Sequence, residues 1–200
     1  MTTPDPAMPS PNQAWPLELD ALTAVSSIVD VIGRHVGDLA PIPAEELTDW
    51  LAGLTVRAGW EVTHLDARAV PLARVTAHRP EAGEAWDGCE TISVFRFTGI
   101  PPRDVVEANA ESTLRDLGAH GIFTTVAPPP PPVAAVRSSG YLRIAGRSLW
   151  ARNAAYVAGS DISGKGRLIQ HSMFVDLRSR TPAEPRHRSP DQLCPQRVPR

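Results

Sequence analysis

The stretch RLIQHSMFVDL, which occupies residues 167–177, alternates two kinds of side chain. Ile169, Met173 and Val175 share one parity and make that face almost wholly apolar, with His171 among them. Successive side chains of a β-strand point to opposite faces of the sheet, so period-two alternation is typical of a strand with one face against a core. The stretch therefore predicts a strand that packs against the interior on one side.

The same alternation recurs along most of the chain after residue 57. It predicts strands at residues 60–65, 72–78, 91–98, 122–126, 134–144, 148–158 and 167–177. A helix is predicted between them at residues 102–118, where Val106, Ala110 and Leu114 share one face. Strands that follow one another without a helix between each pair form meanders. The sequence therefore predicts an α+β fold, with an antiparallel β-meander sheet packed against a central helix.

Apolar residues before residue 57 follow a helical period instead. A spacing of three and four places six of them on one stripe: Leu22, Val25, Val29, Ile32, Val36 and Leu39. This spacing predicts an amphipathic helix over residues 17–39. A second helix is expected from Pro43, because proline is tolerated at the first helical position. The stripe fits two roles, either docking on the core or forming a dimer through the helix at 17–39.

Composition divides the chain into four segments. Residues 1–16 form a lead rich in proline, threonine and serine, and residues 179–200 form a basic, proline-rich tail; both are expected to be disordered. Between them lie the helical segment, residues 17–56, and the α+β sandwich domain, residues 57–178. The extra N-terminal helices are therefore predicted as an addition to the sandwich.

Charge and hydropathy exclude two classes of partner. The 200 residues carry 20 lysines and arginines against 22 acidic residues, a net charge of -2, which argues against a general nucleic-acid binder. No apolar run approaches the ~20 residues that a membrane-spanning helix needs. A charged start followed by an apolar stretch, the mark of a secretory signal, is also missing. The expected location is the cytoplasm, with non-classical export or envelope association as the alternative.

Familiar catalytic motifs are missing from the sequence. It contains no Gly-x-Ser-x-Gly, no His-Glu-x-x-His and no Gly-x-Gly-x-x-Gly. Cys89 lies between acidic residues, which raise the pKa of a thiol and so disfavour a nucleophile. His64 and His78 could meet across a hairpin with Glu61 or Asp66, but such neighbours are commoner than metal sites. The sequence favours a protein that is not an enzyme, and it predicts no metal and no cofactor.

Several strand and turn signatures resemble known families. Gly59-Trp60-Glu61-Val62, followed by a strand that ends at Gly99, a long helix and a meander, resembles the PsbP/Mog1-like α+β sandwich. The stretches 139–147, 155–157 and 166–170 are similar to the actinobacterial LpqN-type proteins. The resemblance covers about residues 57–178. It implies an accessory domain without catalysis that contacts other proteins, although this sequence shows no lipidation cysteine near its start.

Two functions follow from these patterns. The leading hypothesis is a non-enzymatic binding or accessory domain that contacts a protein partner or an apolar ligand. The alternative is a small-ligand carrier or an enzyme, with a pocket between the curved sheet and the helix at 102–118. The candidates for lining that pocket are His64, Tyr141, Trp150 and His171. The candidates for contacting a partner are Lys165 and Arg167, at a hairpin tip that the sequence places near residues 159–166.

Overall fold

The computed structural model describes residues 27–63, 72–80, 86–127, 133–144 and 146–179 of the chain. The predicted lead at 1–16, His64 and residues 180–200 of the predicted tail lie outside the described residues. Within the described ranges the fold is α+β, as predicted, with a broad antiparallel sheet and short helices.

Eight strands among the described residues form one sheet. Their bounds are β1 Gly37–Pro41, β2 Trp60–Thr63, β3 Arg74–His78, β4 Gly88–Thr98, β5 His120–Ala127, β6 Val133–Ile144, β7 Arg147–Ala158 and β8 Gly166–Asp176. The order is β2-β3-β4-β8-β7-β6-β5, β1 also pairs with β4, and the paired strands are antiparallel. The seven strands predicted after residue 57 are all present. Period-two alternation predicts them well because the side chains of a half-buried strand alternate between core and solvent.

Four α-helices accompany the sheet in the described ranges. They are α1 Ser27–Gly33, α2 Thr48–Ala52, α3 Arg103–Ala108 and α4 Ser112–Asp116, with 3-10 turns at Ala44–Leu47 and Leu177–Ser179. The single helix predicted at 102–118 is thus two helices. Asn109 donates from Nδ2 to the carbonyl of Val105 at 2.8 Å, and Ser112 donates from Oγ to the carbonyl of Asn109 at 2.8 Å. Such local side-chain bonds compete with helical ones and interrupt the helix.

The N-terminal segment departs from its prediction. The helix predicted over 17–39 ends at Gly33, and Gly37–Pro41 is a strand paired with β4. Ile28, Val29 and Ile32 are buried in the main core beside Phe95 and Phe97. Val29 and Ile32 of the stripe are therefore packed within the chain itself, and dimerisation through residues 17–39 stays a prediction. Residues 27–52 also share sheet and core with the residues that follow, across the predicted boundary at residue 56.

Helices cover the two faces of the sheet unequally. On one face, hereafter the inner face, α1, α3 and α4 pack over two apolar clusters. Val106 and Ala110 join Val136 in the first cluster, and Leu114 joins Leu142 in the second. On the other face, hereafter the outer face, Leu47 and Leu51 pack against a smaller cluster that contains Ile92 and Val94 of β4. The outer face of β5, β6 and β7 therefore lies away from the described helices.

Candidate binding surface

Three predicted pocket residues lie on the outer face. Tyr141 and Trp150 are direct partners in the β6–β7 register, and their neighbours Leu142 and Leu149 are buried in the inner cluster beneath α4. His171 has the opposite parity to Leu168 and Phe174, which belong to the inner clusters. Because parity decides the face of a strand, none of the three faces the helical region at 102–118. The predicted pocket lining is therefore wrong for these residues, and His64 lies outside the described residues.

The outer face exposes aromatic rings on the strands β5, β6 and β7. Phe123 of β5 is 61% exposed, Tyr156 of β7 41% and Tyr141 of β6 37%. Arg137 and Arg143 of β6 are also exposed, and their odd numbers place them on the same face as Tyr141. These five residues, Phe123, Arg137, Tyr141, Arg143 and Tyr156, are called the aromatic–arginine surface. Phe123 lies opposite Ser139, two residues from Tyr141 on β6, and Tyr156 lies opposite Ala135, six residues from Tyr141.

The charge of this surface has a single sign. Strands β5, β6 and β7 contain no aspartate or glutamate. They carry four arginines, of which Arg147 binds Asp176 at the sheet end, Nη2 to Oδ2 at 2.8 Å. Arg152 also has the parity of the outer face, and its guanidinium carbon lies 5.8 Å from the centroid of the Trp150 ring. The arrangement suits a partner that offers carboxylates beside apolar groups.

His171 forms an ion pair with Glu90 on the same face. His171 Nε2 lies 2.5 Å from Glu90 Oε1, and Thr76 donates from Oγ1 to Glu90 Oε2 at 3.3 Å. Burial acts to raise the pKa of Glu90, but the hydrogen bond and charge of His171, with Arg57 and Thr76, hold that pKa below its usual range. The nearby hydroxyl of Thr76 donates to Glu90 and is not paired with His171. The described contacts therefore form an ion pair between β4 and β8, and they do not pair His171 with a hydroxyl that it could activate as a nucleophile.

His78 makes a different pair from the one considered in the sequence. Its Nδ1 lies 2.6 Å from Asp87 Oδ1, and its ring centroid is 5.8 Å from that of Trp60. Glu61 pairs with Ala77 in the β2–β3 register and so lies on the opposite face of the ladder from His78. Over the described residues no group of three metal-ligating side chains is close enough to hold a metal ion.

The two predicted partner-contact residues have different surroundings. Arg167 is half-buried and donates from Nη1 to the carbonyl oxygens of Gly164 at 2.6 Å and Gly166 at 2.8 Å. It therefore closes the turn between β7 and β8. Lys165 is exposed in that turn, as is Ile162. The geometry leaves Lys165 on the surface and gives Arg167 an internal role.

Cys89 is buried on the inner side of β4. Burial, and secondly the charge of Glu90, raises the pKa of its thiol to about 12. The thiol is protonated near neutral pH, and a protonated thiol is a poor nucleophile. Burial is therefore a larger cause of the poor reactivity of Cys89 than the acidic neighbours visible in the sequence.

Most residues of the aromatic–arginine surface are not predicted by the sequence patterns. Tyr141 was a candidate for a pocket, but Phe123, Arg137, Arg143 and Tyr156 were not singled out. A signal for them exists in the composition, since β5, β6 and β7 all lack acidic residues, each contains an aromatic side chain, and β6 and β7 contain arginine. Together with the alternation of side chains between the two faces, this lack of acidic residues indicates one face of the meander as a candidate surface.

Comparisons with known proteins place the fold. No protein-family model and no curated protein sequence matches the chain. A solved structure, LpqN of Mycobacterium tuberculosis, is similar with a TM-score of 0.50 and 14% sequence identity, covering 70% of this chain and 80% of that chain. Its title describes LpqN as involved in cell envelope biogenesis. This likeness agrees with the resemblance found in the strand and turn signatures, and it concerns the fold. In the described ranges, no helix is both long and apolar enough to cross a bilayer.

Proposed function

We propose that this chain is a non-enzymatic binding domain whose aromatic–arginine surface docks an acidic protein partner. The observation that carries the proposal is the exposure of Phe123, Tyr141 and Tyr156 on one sheet face beside Arg137 and Arg143. Tyrosine and arginine are enriched among the residues that contribute most to protein–protein binding. The strands β5, β6 and β7, which carry these residues, contain no aspartate or glutamate, and this favours a partner of negative charge.

The shape of the surface supports a macromolecular partner. The strands β6 and β7 pair over their full lengths, from Val133 with Ala158 to Ile144 with Arg147, and give a continuous pleated platform. Phe123 lies opposite Ser139 and Tyr156 opposite Ala135, so the rings are spread along a flat ladder and do not enclose a small molecule. Small-molecule sites are concave and bury most of their ligand, so a platform of exposed rings fits an extended protein surface better.

The location of this function is part of the proposal. LpqN, which has a similar fold, is described as involved in cell envelope biogenesis. We place the domain in an accessory role at the envelope, the alternative to the cytoplasmic setting expected from the sequence. Fractionation of native cells with an antibody against the chain tests this, and recovery only in the cytosolic fraction contradicts it.

The docking surface is tested by charge reversal at matched positions. In the full chain, a photoreactive amino acid replaces Tyr156, and the protein is irradiated in native extract. In that background, Arg137→Glu reverses one charge on the aromatic–arginine surface. Arg115→Glu makes the same change on the exposed side of α4, where Arg115 pairs with Glu111. Cross-linked proteins are identified by mass spectrometry at low and at high salt.

The expected result is cross-linking to an acidic protein. The yield of this cross-linked product should fall at least tenfold in Arg137→Glu, stay unchanged in Arg115→Glu and decrease at high salt. Equal cross-linking in both variants would show that the surface does not select the partner. A chain that cross-links to nothing in extract, while converting a metabolite in an activity screen, would replace the proposal with the enzymatic alternative.

A further inference from the structure

Strand β5 lies at one end of the sheet and pairs with β6 on one side only. A register shift between His120 and Phe123 leaves residues 123–127 as its regular part. Within the described ranges, no backbone hydrogen bond reaches the opposite side of this part. An end strand of this kind presents a row of open N–H and C=O groups, which is a template for another strand.

Two other strands of the described chain also have a single neighbour, and both carry protection that β5 lacks. β1 contains Asp38 and Pro41, and β2 is only four residues long and contains Glu61. β5 contains no aspartate, glutamate, lysine, arginine or proline. Charges, prolines and short length on an edge strand oppose pairing with other chains. The free side of β5 is therefore the edge at which such pairing is least opposed.

The direction of the backbone groups in β5 follows from the neighbouring hairpin. Ile144 and Arg147 pair across the two-residue turn between β6 and β7, so they exchange backbone hydrogen bonds. Backbone groups alternate in direction along a strand, so the even-numbered residues of β6 face β7 and the odd-numbered residues face β5. Arg137 is one of the odd-numbered residues, and it lies opposite Thr125. The N–H and C=O of Thr125 therefore point to β6, and those of its two neighbours in the chain point to the free side.

These neighbours, Thr124 and Val126, complement each other when the strand is paired with its own copy. In antiparallel pairing about a two-fold axis at Thr125, Thr124 of each copy lies opposite Val126 of the other. Each such pair exchanges two backbone hydrogen bonds, so the open groups of both strands are satisfied. Thr125 then lies opposite Thr125 of the second copy, and cross-strand threonine pairs stabilise a sheet. Val126 is 41% exposed and is therefore available for this contact.

We propose that β5 pairs with β5 of a second copy of this chain, so that the two sheets join across a two-fold axis at Thr125. A second copy suits this edge better than the acidic partner of the aromatic–arginine surface, because β5 carries no lysine or arginine that would select negative charge. The pairing takes place in the plane of the sheet and leaves the outer face open. The inference goes beyond the function proposed for that face, and the dimer presents two aromatic–arginine surfaces on one continuous sheet.

The test compares one substitution on the two end strands of the sheet. Val126→Lys places a charge at the free side of β5, and Val62→Lys makes the same change on β2, where Val62 is 59% exposed. Both positions are exposed, so both variants keep their core, and circular dichroism verifies that they fold. Sedimentation velocity of the full chain from micromolar to millimolar concentration measures dimerisation. Hydrogen exchange of single amides reports which N–H groups the dimer protects.

The expected result is a reversible dimer whose dissociation constant rises at least tenfold in Val126→Lys and is unchanged in Val62→Lys. Exchange at the amides of Thr124 and Val126 should slow as the dimer forms, whereas the amide of Thr125 bonds to β6 and is protected at every concentration. A chain that stays monomeric would overturn the proposal. Slow exchange at Thr124 and Val126 in the monomer would also overturn it, because another segment of this chain would then cover the edge. Equal dissociation constants in the two variants would exclude β5 as the interface.

The position of the two-fold axis has a test of its own. Residues opposite each other in a non-hydrogen-bonded antiparallel pair have Cα atoms about 4.5 Å apart, a separation that a disulfide bridges. Thr125→Cys, combined with Cys194→Ser, should therefore give a disulfide-linked dimer under mild oxidation. Val62→Cys in the same background is the control and should not be linked. A dimer that forms without this disulfide would overturn the axis at Thr125.

Discussion

Gly166 begins β8 against the ring of Phe97. A Cβ at this position would lie 2.4 Å from Cε2 of Phe97, and that ring is fully buried. Because the ring has no room to withdraw, Gly166→Ala should lower the free energy of unfolding by about 1–3 kcal/mol or more through overpacking. Urea denaturation measures the change. Gly37→Ala is the control, since the nearest atom to its added Cβ is 3.9 Å away; equal effects of the two substitutions would contradict the explanation.

Asp176 is the most enclosed carboxylate of the ion pairs described. It accepts from Arg147 Nη2 at 2.8 Å and from Arg178 Nη2 at 2.9 Å, and it is 2% exposed. Burial acts to raise its pKa, but the hydrogen bonds and charges of Arg178 and Arg147 lower it from 3.8 to about 2. Stabilisation by a carboxylate of lowered pKa is present above pH 3.8 and is lost as the pH falls toward 2.

The measurable consequence is the pH dependence of unfolding. Between pH 5 and pH 2 the wild-type chain should lose on the order of 1–2 kcal/mol through Asp176, a figure reduced for solvent around the exposed Arg178. Asp176→Asn should lower stability at pH 7 and remove that part of the pH dependence. The exposed Asp104→Asn provides the comparison. An unchanged slope in Asp176→Asn would exclude Asp176 as its source.

At the scale of elements, the Glu90–His171 pair connects β4 with β8. The pKa of Glu90 lies below its ordinary value of 4.5, so the stabilisation from this carboxylate is present above about pH 4.5 and disappears as the pH falls through the lower folded-state value. A double-mutant cycle of Glu90→Gln and His171→Gln should give a coupling of about 1 kcal/mol at pH 6 and less at pH 3. The exposed pair Glu111–Arg115 should give about 0.3–0.5 kcal/mol. A coupling no larger than that would show that the half-buried pair does not stabilise the sheet.

Elements differ in how far the sequence predicts them, and local information explains the difference. The strands after residue 57 are recognisable because alternation is recorded within each strand. Val36 and Leu39 fit a helical stripe equally well, but Gly37 pairs with Thr98 far along the chain, and Asp38 adopts a positive φ of 55°. Pairing between residues this far apart in the chain determines that β1 is a strand, and it cannot be recognised from the local spacing of apolar residues.

The candidate site was predictable only in part for a related reason. Alternation separates Tyr141 from Leu142, yet it does not say which of the two faces the helices cover. That choice depends on contacts such as Leu114 with Leu142 and on registers between distant strands.

At the scale of the whole molecule, α1 and β1 share a core and a sheet with the residues that follow. Ile28, Val29 and Ile32 bury their side chains against Phe95 and Phe97, and β1 pairs with the end of β4. Burial of an aliphatic side chain contributes about 1.5–3 kcal/mol, so three of them are worth on the order of 5 kcal/mol. That is comparable with the total stability of a domain of this size, about 5–15 kcal/mol.

Removal of this segment should therefore unfold the rest. A chain that begins at residue 57 is expected to lack a cooperative thermal transition and to bind a hydrophobic dye, because Phe95 and Phe97 lose the helix that covers them. A chain that begins at residue 27 keeps α1 and β1 and should melt cooperatively. Circular dichroism and dye fluorescence distinguish the two chains. Equal melting temperatures would contradict this expectation and support the boundary that the sequence places at residue 56, because the sheet would then be stable without its N-terminal cover.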